Sequence, residues 1–241
     1  LEKRSISDVV PKWISSNCIK CNMCSFVCPH SVIRPFKLSE EEYEKASDYI
    51  KERCVDNYII GISVKDCTGC GLCIKSCLAK DKALITSRLV DEELEQKVFD
   101  YLTLNVTCKE ESLNNVKNTQ FVMPKIEFNG ACSGCGQPAY IKLLTQLFGD
   151  SMIIANATGC SSIYGGSAPS MPYSIPWASS LFEDNAEYGL GYLMADKINK
   201  QAIVNIMKEY GDFEEYINNY NNYEITKNVY DNIDFDKYPK L

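Results

Sequence analysis

Eight of the thirteen cysteines stand in two copies of one spacing: Cys18-x2-Cys21-x2-Cys24-x3-Cys28-Pro29 and Cys67-x2-Cys70-x2-Cys73-x3-Cys77. Thiols recurring at every third residue can wrap one face of a compact inorganic group within a single tight loop. The fourth, displaced by three more residues, is directed away and must serve something else. This is the ligand pattern for a pair of [4Fe-4S] clusters, and it marks the chain as one that moves electrons.

In two-cluster ferredoxins the fourth thiolate of each run completes the other cluster. On that basis Cys18, Cys21, Cys24 and Cys77 are assigned to one cluster, and Cys67, Cys70, Cys73 and Cys28 to the second. A four-thiolate zinc site would use two Cys-x2-Cys pairs rather than two four-cysteine runs. A disulfide-stapled secreted module is disfavoured because 241 residues can build a core without staples and no secretory leader is expected. No run of about eighteen apolar residues exists, so no membrane span is expected. The formal charge of -7 argues against nucleic acid as a partner, since phosphate contacts need clustered Lys and Arg.

Residues 1 to about 17 read as a lead-in containing Pro11 and Trp13. Between the cysteine runs, Ser39 ahead of Glu40, Glu41 and Glu42 predicts a helix start within a surface insertion. Gly61–Lys65 is expected to be a strand entering the second cluster loop, Ala83–Thr86 a strand leaving it, and Val32-Ile33 the exit from the first. Ile19, Phe26, Val27, Leu72 and Ile74 are expected to screen the clusters from water. A charged helical piece covers Asp91–Lys97, and the composition changes near 110–120. The expected architecture is α+β: a two-cluster bacterial ferredoxin-like domain over 1–112, then a partial α/β domain over 113–241.

The second part carries Cys132, Cys135 and Cys160 in loops flanking a predicted helix Pro138–Phe148 and strand Met152–Ala155. Three thiolates leave a cubane one ligand short, and a Cys-x2-Cys redox pair beside an unrelated Cys160 is the alternative on spacing alone. Here the chain resembles a known family. The runs Gly130-Ala131-Cys132-Ser133-Gly134-Cys135-Gly136, Leu144–Gly149, Ile154–Tyr164, Ala168–Tyr173 and Ser180–Gly189, together with Trp13 leading into Cys18-Ile19-Lys20-Cys21-Asn22, look like the matching portion of pyruvate:ferredoxin oxidoreductase. The resemblance extends over about residues 1 to 210.

The resemblance implies part of a thiamine-diphosphate enzyme, with 113–241 the start of its thiamine-diphosphate-binding-type domain. The complete enzyme would decarboxylate pyruvate oxidatively, capture the two-carbon unit on coenzyme A, and pass electrons singly to ferredoxin or flavodoxin. It implies a third [4Fe-4S] cluster on Cys132, Cys135 and Cys160, with a fourth cysteine supplied later in the polypeptide. The first two clusters are then the medial and distal stations. Thiamine diphosphate with Mg2+, most of the pyruvate site and the remaining domains or subunits of what is expected to be a homodimer lie elsewhere. No decarboxylase activity is expected of these residues alone, no catalytic side chain is assigned among them, and a cytoplasmic or other reducing, low-oxygen compartment is expected. A stand-alone ferredoxin-like carrier fused to a non-catalytic α/β domain is the competing reading.

Two departures stand out: Gln137 occupies a position where the family usually has Glu, and the segment from Tyr173 to Ser180 is shorter than the family version. Cys54 and Cys108 are expected to be small buried side chains, Cys108 being the likelier surrogate ligand of the two. His30 is expected to serve a structural or surface role rather than to tune a cluster, and Lys20 and Lys65 either moderate the field at the ligands or are ordinary solvated cations. Glu187–Tyr210 reads as a packing helix, and the Asn- and Tyr-rich stretch from Gly211 as a weakly organised tail.

Overall fold

The computed structural model describes residues 3–107, 113–166, 175 and 177–241. The strands are β1 Val9–Trp13, β2 Ile33–Lys37, β3 Tyr58–Ile62, β4 Leu84–Arg88, β5 Ile154–Ala157 and β6 Trp177–Ser180. The helices are α1 Met23–Val27, α2 Glu40–Lys45, α3 Asp48–Arg53, α4 Leu72–Lys75, α5 Glu93–Asn105, α6 Val116–Thr119, α7 Gln137–Phe148, α8 Cys160–Gly166, α9 Asn185–Tyr210, α10 Glu214–Asn219 and α11 Tyr223–Asp231. The result is a mixed α/β chain with three two-stranded sheets among the described residues.

The residues fall into two compact units, 1–152 with 160–176, and 153–159 with 177–241. In the first, the chain runs strand, cysteine loop, short helix, strand, and then repeats the sequence. The repeats interlock: β1 pairs antiparallel with β4 (Val10 opposite Ser87, Trp13 opposite Leu84), and β2 with β3 (Ile33 opposite Ile62). The lead-in is therefore a strand. Pro11 is accommodated there because a two-stranded ribbon leaves a free edge, where a missing N–H costs no ladder bond.

Val10, Trp13, Val32, Ile33, Ile59, Ile60, Ile62, Val64 and Leu84 form the core with Val98 and Leu102 from α5. Five consecutive strand positions, Tyr58–Ile62, are all buried, as befits a strand covered on both faces. Gly61 permits this cover: a Cβ there would lie 2.9 Å from Phe36 and 3.3 Å from Leu102 and Phe99. The predicted start of α2 is a capping box, with Ser39 Oγ accepting from Glu42 N at 3.2 Å and Ser39 N donating to Glu42 Oε2 at 2.7 Å.

Residues beyond 112 also pack into this unit. Asn22 Nδ2 donates to Lys117 O at 2.8 Å, Ser25 Oγ to Gln120 Oε1 at 3.1 Å, and Ser31 Oγ to Ile126 O at 2.8 Å.

The second unit has β5 and β6 in parallel, Ile154 opposite Trp177, with α9 packed on them. The stretch after Gly211 is organised, contrary to the expected tail. Met207, Phe213 and Tyr238 form a small core with Tyr210, Ile217 and Val229, and Tyr238 donates its hydroxyl proton to Asp212 Oδ2 at 2.6 Å. Among the described residues no helix is long and apolar enough to cross a membrane.

Candidate metal centres

Both cysteine loops have the same backbone signature. Lys20 and Asn22 in the first, and Gly69 and Gly71 in the second, take positive φ (55°, 60°, 66° and 71°). These left-handed residues curl each loop inward and turn amides toward sulfur: Lys20 N donates to Cys18 Sγ, and Gly69 N to Cys67 Sγ, both at 3.4 Å. Asn bears the left-handed conformation better than most residues. Asn22 is further fixed by the Tyr58 hydroxyl, which donates to its Oδ1 at 2.7 Å.

Each loop closes on a cavity. The first, about 320 Å3 counted to its mouth, is lined by Cys18, Cys21, Cys24 and Cys77 with Trp13, Tyr58 and Leu84 among its walls. The second, about 340 Å3, is lined by Cys28, Cys67, Cys70 and Cys73 with Pro11, Val32 and Ile33. Three thiols of one run thus meet the fourth of the other, twice. Helix α1 makes the exchange: Cys24 lies within it and Cys28 caps it, so neighbouring turns of chain serve different cavities.

The donor set fits a multi-iron group. Burial first, then repulsion from Cys18 and Cys21, pushes the Cys24 thiol up to about 12. Burial, with Cys28 and Cys70 adding to it, pushes Cys67 up to about 12, and burial raises Cys73 as well. Four thiolates in so dry a space require cationic metal to hold them deprotonated. Among the described residues no group of three or more His, Cys, Asp or Glu side chains is drawn together closely enough to hold a metal ion.

Of the residues expected to screen these sites, Leu72 and Ile19 line cavities, but Ile19 is 57% exposed. Trp13 and Tyr58, which sequence reading did not place there, contribute larger apolar walls, and their rings meet edge to face. Their signal in the sequence was only proximity to a cysteine run. His30 is buried, lines the second cavity and hydrogen-bonds Asn129 O through Nδ1 at 3.0 Å; burial lowers its pKa. Lys20 pairs with Asp56 at 2.5 Å. Cys54 is half-buried at the end of α3 with its thiol raised by burial, and Cys108 lies outside the described residues.

Cys132 and Cys160 are exposed and Cys135 is half-buried. Cys135 N donates to Cys132 O at 3.0 Å, closing the loop before α7. The Tyr164 hydroxyl, pushed up to about 12 by burial and then by Cys135 and Cys160, donates to Gln137 Oε1 at 2.6 Å. The same loop abuts the second cavity: Ser133 Oγ donates to Thr68 O at 3.0 Å, and a Cβ on Gly134 would stand 3.5 Å from Cys70 Cβ. Of the family-like runs, Ala168–Tyr173 and the shortened stretch through Ser174 and Pro176 lie outside the described residues.

Residues 17–81 match the 4Fe-4S dicluster domain family, which defines this part of the chain as a two-cluster ferredoxin-type segment with the potential to bind iron–sulfur clusters. Over most of its length the chain is also similar to much larger oxidoreductases. It is 47% identical over 206 residues to the pyruvate-flavodoxin oxidoreductase of Enterobacter agglomerans, covering 80% of this chain and 18% of that protein. It is 45% identical over 210 residues to the pyruvate:ferredoxin oxidoreductase of Moorella thermoacetica, with coverage of 80% and 18%. Against the probable pyruvate-flavodoxin oxidoreductase of Escherichia coli it is 41% identical over 234 residues, covering 88% and 20%. By sequence the chain belongs with the pyruvate:ferredoxin and pyruvate:flavodoxin oxidoreductases, and it spans about a fifth of the length of these relatives.

Proposed function

We propose that the chain is the iron–sulfur electron-transfer section of an enzyme that oxidises pyruvate with coenzyme A and delivers electrons to ferredoxin or flavodoxin. The observation that carries this reading is the exchange of Cys28 and Cys77 between two otherwise equivalent thiol-lined cavities. Cys18, Cys21, Cys24 and Cys77 hold one [4Fe-4S] cluster, and Cys28, Cys67, Cys70 and Cys73 the second. Cys132, Cys135 and Cys160 supply three ligands to a third, whose fourth comes from elsewhere in the polypeptide. When bound, such clusters take up and release single electrons.

The protein's own contribution is to hold and shelter these groups. Trp13, Tyr58, Val32, Ile33 and Leu84 keep water from the sulfurs, and the amides of Lys20 and Gly69 stabilise thiolate charge. The contact of the Ser133–Gly134 turn with Thr68 and Cys70 supports an order in which the second site neighbours the third and the first site faces the acceptor. Residues 1–112 form the two-cluster domain, and 113–241 open a thiamine-diphosphate-type domain. Thiamine diphosphate, Mg2+ and the pyruvate and CoA sites belong to the remaining domains or subunits of a homodimer in a reducing, low-oxygen compartment.

Iron and acid-labile sulfide per chain, measured on anaerobically purified protein with EPR after dithionite reduction, test this reading. About eight of each with a coupled two-cluster spectrum is expected when the third set awaits its outside ligand, and about twelve when the chain completes it. Absence of both iron and signal overturns the reading.

A further inference from the structure

Helix α7 carries a lysine where helices ordinarily bury an apolar side chain. Lys142 is 1% exposed, and its Nζ donates to the carbonyl of Ser25. Ser25 sits between Cys24, which lines the first cavity, and Cys28, which lines the second. The ammonium is thus held against the short helix that separates the two thiol sets. The charged groups that bear on it are Cys28, Arg34 and Cys24, with no carboxylate among them. Arg34, the other buried cation of this region, is compensated by contact with Glu127. Among the described residues no carboxylate pairs with Lys142, and burial depresses its pKa to about 8.

A buried ammonium without an anion is costly, and proteins resolve the cost by deprotonation or by pairing. The thiol sets that include Cys24 and Cys28, the cysteines flanking Ser25, both become anionic once they carry iron, because thiolate and sulfide charge outweighs that of the irons and grows further on reduction. We infer that Lys142 is a shared counter-charge, a positioning residue that stabilises the reduced state of both cluster sites at once. The inference rests on the reading of those sites as [4Fe-4S] centres. It assigns to α7 the task of delivering one fixed positive charge to the boundary between two electron-storing groups. A single charge near both sites raises both potentials together and leaves the difference between them unchanged.

The test uses Lys142→Met, Lys142→Gln and Lys142→Arg in the full chain. Iron and sulfide are counted first, then both EPR signals are followed under controlled potential. With iron retained, the two neutral variants are expected to lower the reduced-to-oxidised ratio of both sites about tenfold at fixed potential, a shift of about 59 mV for one electron. The Arg variant should remain near the parent. Unchanged ratios in a neutral variant that keeps its iron overturn the inference, as does loss of iron from both neutral variants, which would make Lys142 a purely structural support. Absence of iron from the parent protein overturns the underlying reading instead, so the two failures are distinct.

Discussion

At the scale of single residues, the informative pair is Cys24 and Cys28, four positions apart and facing different cavities. Replacing Cys24 with Ala is expected to remove about four irons and leave the second site's EPR signal, whereas Cys28→Ala removes about four and leaves the first site's. The same surviving signal in both variants would refute the exchange. The two sets of four thiols that line the cavities were legible in the sequence because the spacing of each run groups its first three cysteines and sets the fourth apart. Lys142 was not, because burial of a charged side chain depends on what another segment brings over it, and lysine alone predicts exposure. Tyr58 and Trp13 were missed as cavity walls for a related reason: each is remote in sequence from some of the thiols it shelters, and only strand pairing brings it there.

At the scale of elements, short strands and helices were readable where local chemistry marks them. Ser39 with Glu42 announced α2, and Glu187–Tyr210 lies within the observed α9. A strand ahead of the first cysteine run follows from the strand, loop, helix, strand order read for each half, and β1 supplies it with Pro11 at a two-stranded edge. Helix α7 was placed correctly but is inverted in character. It buries Lys142, Thr145 and Gln146 and exposes Tyr140, Leu144 and Phe148, so no amphipathic pattern could have oriented it. Helix α5 packs over β3, with Phe99 and Leu102 close to Gly61. Gly61→Ala is expected to destabilise the chain by about 1–3 kcal/mol, because the added Cβ would meet Phe36 at 2.9 Å. Urea unfolding with unchanged slope checks this.

At the scale of the whole molecule, the two units draw on different sources of stability. The unit of 1–152 with 160–176 surrounds two cavities whose walls need a group to pack against, while the second unit's small core of Met207, Phe213 and Tyr238 contains no cysteine. Removing iron by chelation under oxidising conditions is therefore expected to raise amide hydrogen exchange in β1 and β3 while leaving α10 and α11 unchanged. Equal loss of protection in both units would contradict it. The exchanged ligands also bear on biosynthesis. Cys77 is needed beside Cys18, Cys21 and Cys24, and Cys28 beside three thiols that follow it much later in the chain. As the polypeptide leaves the ribosome, neither site has its full set of ligands until the second run has emerged. On the proposed ligand sets, neither site is completed before that moment, and until then the first run offers its own four thiols, Cys18, Cys21, Cys24 and Cys28, to any iron it meets.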